Sequence, residues 1–131
     1  MSLRTLPKSD SLPRALYTAA QVREFDRIAI ERFGIAGEVL MERAGTAAFA
    51  LLRARWPQAR RITVLVGPGN NGGDGFVIAR LAQEQGLEVE LLQLGDRDRI
   101  GGDAATNAER WRGLAGEWAE FQHLSPHTEL I

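Results

Sequence analysis

Two segments near the start of the chain have hydrophobic residues at the spacing of an amphipathic helix. The first begins after Thr18, which forms a capping-box pattern with Gln21, and it ends at Gly34. The second follows Gly37 and ends before Pro57, because proline cannot continue a helix. The apolar stripe predicted for this second helix consists of Leu40, Ala44, Ala47, Ala48 and Leu51. Both segments are predicted to bury one face.

Short apolar runs on either side of a third helical segment predict two β-strands. The runs are 62–66 and 87–94, and the helical segment, 75–85, is apolar on several sides, with Gly86 in position to end it. A strand, a helix and a second strand in this order form a βαβ unit, whose strands are expected to be parallel with a right-handed connection. The pattern therefore predicts an α/β fold.

A fourth helix and a third strand are predicted after this unit. Asp103 is a candidate N-cap for the helix, and residues 117–121 form a short strand pattern. The apolar face of the helix is expected to consist of Ala104, Ala108, Trp111 and Ala115. His123 and His127 are four residues apart, but Pro126 between them prevents a helix from presenting both to one metal ion. We interpret the two histidines as surface residues.

Length and composition fit a single domain with a hydrophobic core. The chain has 131 residues, of which 44% are hydrophobic, and a formal net charge of −1. This near neutrality gives no support to partners that attract bulk charge, so we expect neither nucleic-acid nor membrane-surface binding. Because the chain has no cysteine, a disulfide framework, a thiolate nucleophile and a zinc–thiolate site are excluded.

The first residues mix serine, proline and charge, and we interpret residues 1–15 as a flexible N-terminal arm. They lack the apolar core of roughly 7–15 residues that a signal peptide needs. No window of the sequence approaches the ~18 uninterrupted apolar residues of a membrane span. These observations predict a cytoplasmic protein.

Between the first predicted strand and the third helix lies a glycine-rich loop, 67–75, with the sequence GPGNNGGDG. Glycine lets a ligand approach the backbone closely, and the start of a helix carries partial positive charge, so such a loop can receive phosphate groups. Gly67, Gly69 and Gly72 satisfy the G-x-G-x-x-G pattern of dinucleotide-binding proteins. Asp74 departs from that pattern, because a carboxylate at the helix mouth would repel a pyrophosphate. The first hypothesis is a nucleotide-like ligand in a site unlike that of a plain dehydrogenase.

The polar residues of this loop have more than one interpretation. Asp74 can serve as an N-cap that accepts the N–H group of Val77 or its neighbour. Asn70 and Asn71 can shape a turn, contact a ligand, or offer amide oxygens to a cation. Nine residues of this composition favour a functional loop, because so much backbone freedom costs stability.

Three other charged residues are weaker candidates for ligand contact. Asp96 follows the second predicted strand, where a dinucleotide-binding protein places its ribose-binding acid, although Gly95 and Asp96 also fit an ordinary polar loop. Glu42 and Arg43 lie on the second predicted helix and could reach a ligand, but charged residues on helices are usually solvated.

Three motifs occur in the order and spacing of a known family. They are LYTAAQVREFD at 16–26, LMERAG at 40–45, and GPGNNGGDGFVIAR, which starts at Gly67. Over about residues 16–131 the chain resembles the YjeF N-terminal domain family, the NAD(P)H-hydrate epimerases. The resemblance implies a three-layer Rossmann-like domain with a parallel sheet. It also implies interconversion of the R and S epimers of NADHX and NADPHX, the hydrated forms of the reduced nicotinamide cofactors.

The resemblance assigns roles within the loop. It implies that the substrate site is lined by Asn70, Asn71, Gly72, Gly73 and Asp74. Asn71 is also the implied ligand of a potassium ion, a hard cation that suits oxygen donors. Because a side chain at Gly73 would obstruct a ligand held against the backbone, Gly73→Val is expected to damage the site more than the fold.

The family pattern continues with segments that this sequence does not contain. They are a strand ending in a VDA-like aspartate, a GTG-type glycine loop and a DIPSG-like segment, which supply the acid/base carboxylate and the remaining cation ligands. Residues 128–131 resemble the start of that strand. We therefore expect residues 16–131 to be the N-terminal portion of the domain, truncated before the later strands, with the catalytic carboxylate beyond Ile131.

The resemblance and the glycine pattern also suggest partners and competing functions. A homo-oligomer is expected, and in bacteria the epimerase domain is often fused to an NAD(P)HX dehydratase. One alternative is an NAD(P)-dependent oxidoreductase that uses Gly67, Gly69 and Gly72 as its fingerprint. Another is a non-catalytic self-association module of the same fold, similar to those in messenger-RNA decapping scaffolds. The NNGGD sequence of the loop favours the epimerase.

Overall fold

The computed structural model describes residues 16–114 and 117–122, apart from the side chains of Asn70 and Asn71. The chain divides into two compact units, Met1–Gly34 and Ile35–Ile131. The N-terminal arm, Ala115 and the two histidines lie outside the described residues.

In the first unit the described residues form one helix, α1 (Ala19–Phe33), as the sequence predicts. The capping box is present, because the Thr18 hydroxyl oxygen accepts the N–H of Gln21 at 3.2 Å and the Thr18 N–H donates to Oε1 of Gln21 at 2.8 Å. Gly34 ends the helix in the left-handed conformation, with φ of 65°. All residues of α1 keep appreciable solvent exposure, so the helix adds no buried side chain to a core.

The second unit is built on a parallel sheet with the order β1 (Arg61–Val66), β2 (Glu88–Gln93) and β3 (Trp118–Glu120). Val66 pairs with Gln93 at the carboxyl ends of β1 and β2, and Gln93 pairs with Glu120 of β3. The helices are α2 (Gly37–Arg55), α3 (Asn70–Glu84) and α4 (Gly102–Gly113), and a short 3₁₀ turn, Arg97–Arg99, precedes α4. The predicted α/β class, the parallel sheet and the βαβ unit are confirmed.

Helices α2, α3 and α4 pack on the same face of the sheet. Alternate residues of β1 point to that face, and they form apolar clusters with Phe49 of α2, Phe76 of α3 and Trp111 of α4. On the opposite face Arg61 pairs with Glu88 at 2.9 Å, and the Thr63 hydroxyl donates to Glu90 at 3.0 Å. Because the described helices of this unit cover one face, the three-layer arrangement implied by the resemblance stays a prediction.

Two predicted caps are wrong. Helix α3 begins at Asn70 with Gly69 as its N-cap, so Asp74 lies inside the helix and does not cap it. Helix α4 begins at Gly102 with Gly101 as its N-cap, so Asp103 occupies the first turn. At the start of α3 a Cβ on Gly72 or Gly73 would overlap its neighbours, and this packing overrides the low helix propensity of glycine. At the start of α4 a Cβ on Gly101 or Gly102 would meet nothing within 4 Å, but the positive φ of Gly102, 57°, favours glycine there.

The predicted apolar stripe of α2 is also wrong. The buried residues of α2 are Met41, Gly45 and Phe49, whereas Ala44, Ala47 and Ala48 are exposed and Leu51 is 69% exposed. Gly45 decides which face turns inward, because a Cβ there would overlap the side chain of Val77 on α3. The predictions for α3 and α4 are confirmed for Phe76, Val77, Ala79, Ala82, Ala104, Ala108 and Trp111, all of which are buried.

Within the described ranges, the helices are all too short or too polar to cross a bilayer.

Candidate functional site

The glycine-rich loop lies at the carboxyl ends of β1 and β2. Strand β1 ends at Val66, and three residues lead from it to the start of α3. The two strand ends are held together where the Leu94 N–H donates to the carbonyl of Val66 at 2.8 Å. The loop after β2 runs beside the first loop, because a Cβ at Gly95 would lie 3.6 Å from Cδ of Pro68. In open parallel sheets, ligands bind in the crevice outside these strand ends.

The five predicted substrate-site residues, Asn70 to Asp74, are the first five residues of α3. The structure therefore brings them together at a helix N-terminus, where N–H groups lack intrahelical partners and the helix dipole is positive. Asn70 and Asn71 occupy the first two positions of the helix. Asp74 is half-buried and follows one turn later. Contact of these residues with a substrate stays a prediction.

Gly72 and Gly73 are buried and pack tightly against the rest of the unit. A Cβ at Gly72 would overlap the carbonyl oxygen of Gly67, and the Gly72 N–H donates to the carbonyl of Gly69 at 3.0 Å. A Cβ at Gly73 would overlap Sδ of Met41 and lie 3.0 Å from Cα of Ala104. Because both Cα atoms face protein, these residues would contact a ligand only through the main chain.

Two buried amide side chains lie close to this loop and were missed by the sequence analysis. Gln93 ends β2 with 1% exposure, and its Nε2 donates to the carbonyl of Leu94 at 2.9 Å. Asn107 of α4 is 2% exposed, and its Nδ2 donates to the carbonyl of Asp103 at 3.0 Å. A polar residue within an apolar run or stripe is the signal that would have found them. Among the described residues, neither amide oxygen has a hydrogen-bond partner.

Glu42 belongs to an ion pair between helices and not to the solvated face expected from its charge. Arg80 of α3 donates to Oε1 of Glu42 through Nη2 and to Oε1 of Glu84 through Nη1, the latter at 3.2 Å. The side chain of Arg80 is 17% exposed, and the hydrogen bond to Glu42 raises the pKa of the guanidinium above its ordinary value. The pair joins the LMERAG segment of α2 to α3. Arg43 is exposed, as a solvated charge would be.

Asp96 has a local role in the loop after β2. It is exposed, and its carboxylate accepts the N–H of Asp98 at 2.9 Å, which caps the short 3₁₀ turn. Arg97 donates to the carbonyl of Trp118, and its guanidinium carbon lies 4.5 Å from the centre of the Trp118 ring. These contacts agree with the interpretation of this segment as an ordinary polar loop.

Comparison with known proteins gives a consistent set of relatives. A family model described as YjeF-related protein N-terminus matches residues 37–131. The chain is 54% identical over 93 residues to the bifunctional NAD(P)H-hydrate repair enzyme Nnr of Coxiella burnetii, a match that covers 71% of this chain and 19% of that protein. It is 41% identical over 118 residues to the protein of the same name from Escherichia coli K12, covering 89% and 23% respectively.

A shorter relative and a solved structure extend the comparison. The chain is 41% identical over 106 residues to the NAD(P)H-hydrate epimerase of Rhodobacter capsulatus, which covers 76% of this chain and 50% of that protein. A crystal structure of yeast ynu0 matches 81% of this chain and 47% of its own, with a TM-score of 0.71 and 21% identity. That likeness shows the fold alone. The chain spans about half the length of the Rhodobacter protein and about a fifth of the bifunctional relatives.

Proposed function

The chain belongs to the family described as YjeF-related protein N-terminus, and on that premise we propose that it forms part of an NAD(P)H-hydrate epimerase. Its substrates would be the R and S forms of NADHX and NADPHX. The observation that carries the proposal is the position of Asn70 to Asp74 at the start of α3, beside the carboxyl ends of β1 and β2. The curated relatives named as epimerase and repair enzymes support the same reading.

The reaction inverts C6 of the hydrated nicotinamide ring. C6 carries a hydroxyl group beside the ring nitrogen, so inversion can proceed by ring opening or by loss of the hydroxyl. In the second route an acid protonates the hydroxyl, and water leaves as the nitrogen lone pair forms an iminium. Water then adds to the other face of C6 and gives a proton back to the conjugate base of that acid. The positioned carboxylate that assists this step is expected in a later segment. In this chain, main-chain N–H groups at the start of α3 would bind the substrate's oxygen atoms.

A potassium ion at Asn71 is part of the proposal. Within the described ranges, no group of three or more His, Cys, Asp and Glu side chains is placed to hold a metal ion. The loop offers neutral oxygens to a cation, because the carbonyl groups of Gly67 and Gly69 both lie beside Gly72. An amide oxygen from Asn71 completes a set of the type that a hard cation accepts. The ion would bring positive charge to the oxygen atoms of the substrate.

Asn71→Ala is expected to weaken both the potassium dependence and the turnover of the epimerase, because water replaces the lost amide oxygen poorly in a shaped site. The measurement is the R-to-S conversion rate of NADHX as potassium is exchanged for choline. Asn70→Ala is the matched control, since that amide is not an implied cation ligand, and it should keep its potassium dependence. Normal potassium dependence in Asn71→Ala would show that the metal assignment is wrong.

A binding comparison separates the epimerase from the oxidoreductase. An epimerase site should bind NADHX or NADPHX more tightly than oxidised NAD, because Asp74 and the two asparagines depart from the dinucleotide fingerprint. Calorimetric titration with each ligand gives the two dissociation constants. Tighter binding of oxidised NAD would favour the oxidoreductase, and no binding of either ligand would favour the self-association module.

The proposal extends to partners and location. Two relatives are named bifunctional NAD(P)H-hydrate repair enzymes, which supports a second fused activity. The resemblance implies that this activity is an NAD(P)HX dehydratase. A homo-oligomer and a cytoplasmic location, both expected from the sequence, complete the proposal.

A further inference from the structure

The first turn of α3 rests on the thioether of Met41. A Cβ at Gly73 would overlap Sδ of Met41 and lie 2.5 Å from its Cε, so the methionine fills the space that a side chain would need. The other wall of this notch is the backbone of Ala104 on α4. The position of the first turn of α3 relative to α2 therefore depends on where Sδ and Cε of Met41 lie.

Asn107 holds the thioether of Met41 in place. Its Nδ2 lies 3.2 Å from Sδ of Met41 and 3.0 Å from the carbonyl oxygen of Asp103 in its own helix. An amide nitrogen carries two hydrogens, so one can be directed to each acceptor. Methionine has three rotatable bonds and adapts to irregular space. A directional contact from an amide that is tied to its own backbone selects one of the available positions of the thioether.

Stability alone does not explain an asparagine at this position. Asn107 is 2% exposed, and among the described residues its Oδ1 has no hydrogen-bond partner. A buried acceptor without a partner is destabilising, and a thioether sulfur is only a weak acceptor for the amide donor. Leucine has a similar size and would fill the same space without either disadvantage.

We propose that Asn107 is a positioning residue, which holds Met41 against Gly73 and thereby sets the first turn of α3 for the reaction. The inference rests on the proposed function for its catalytic consequence, but its structural part can be tested without it. Gly73 is the residue that Met41 contacts, and Gly72 precedes it in the same turn, so a shift of Met41 is expected to displace both main-chain groups. Small displacements of binding groups can lower a rate by about 10²-fold.

Asn107→Leu in the natural-length protein is expected to keep or raise the melting temperature while it lowers kcat/KM for NADHX by about tenfold or more. Hydrogen exchange should accelerate at the amides of Gly72 and Gly73 without a general acceleration across the chain. Met41→Leu removes the sulfur acceptor and conserves the volume. In the Met41→Leu background, Asn107→Leu should then add little to either effect, because the two residues act through one contact.

The outcomes decide the inference separately from the proposed function. The positioning role of Asn107 is wrong if hydrogen exchange at Gly72 and Gly73 is unchanged, or if exchange accelerates evenly over the chain. Additive effects of the two substitutions would also overturn it. If the parent protein shows no epimerisation, the proposed function fails, while the exchange measurements still decide whether Asn107 sets the α3 start. Asn107→Ala replaces the leucine variant if that protein fails to fold, with the same expected exchange pattern.

Discussion

Residues 1–131 alone are expected to interconvert the epimers of NADHX at least about 10²-fold more slowly than a longer chain that continues through the VDA-like and GTG-type segments. General acid/base assistance typically contributes about 10²–10⁴-fold, and the resemblance assigns that carboxylate to a later segment. The described residues hold the glycine-rich loop and the βαβ unit, to which the proposal assigns substrate binding but no acid.

The open edge of the sheet predicts how residues 1–131 associate in solution. Within the described residues, the second edge of β1 is unpaired, and Leu65 on the face opposite the helices is 39% exposed. An open strand edge beside exposed apolar surface favours pairing with another copy. We therefore expect the isolated chain to form larger assemblies than the longer chain does at the same concentration.

The test follows R-to-S conversion by chromatography with both chains at equal concentration, and sedimentation measures their association. Asp74→Asn in the longer chain is the control for a second source of acid. Comparable rates in the two chains would show that the catalytic group lies within these residues, and a large loss in Asp74→Asn would then identify Asp74.

Gly73→Val is expected to destabilise the fold and not only the site, by about 1–3 kcal/mol or more, as overpacked core positions do. The valine would meet Sδ and Cε of Met41 and the backbone of Ala104, and the backbone cannot move aside as a flexible side chain can. The sequence alone predicts that Gly73→Val damages the site more than the fold, and the packing around Gly73 contradicts that prediction. Positive φ has no part in it, because Gly73 lies in regular α3 and is not one of the glycines with that conformation.

Thermal and denaturant unfolding of the parent and variant measure the effect. Gly67→Ala is the matched control in the same loop, because a Cβ there meets nothing within 4 Å, and its unfolding free energy should change by less than about 0.5 kcal/mol. A variant that melted with the parent but no longer bound hydrated cofactor would restore the original expectation.

Most of the architecture could be predicted from the sequence because its signals are local. The capping box at Thr18 and the apolar runs of β1 and β2 depend on neighbouring residues, and each is found where it was expected. The broad apolar surface of α3 likewise predicted its burial. Parallel pairing followed from the βαβ order alone.

The errors arose where a contact between distant segments decides the outcome. Helix α3 starts among glycines that propensity alone assigns to a loop, since the notch between Met41 and Ala104 is invisible along the chain. The inward face of α2 depends on the close approach of Val77 to Gly45. Asn107 interrupts the apolar stripe of α4, but its contact with Met41, 66 residues away, cannot be found along the chain.

The strand order has a consequence for how the protein is made. Each strand pairs with the one before it, so the sheet grows outward in the direction of synthesis, from β1 to β2 to β3. Each pairing joins strands that are consecutive in the chain, so it needs no segment beyond the second strand of the pair. The βαβ unit can thus assemble as it leaves the ribosome, before β3 has been made. The nascent chain would then present the glycine-rich loop on two strands that are already paired.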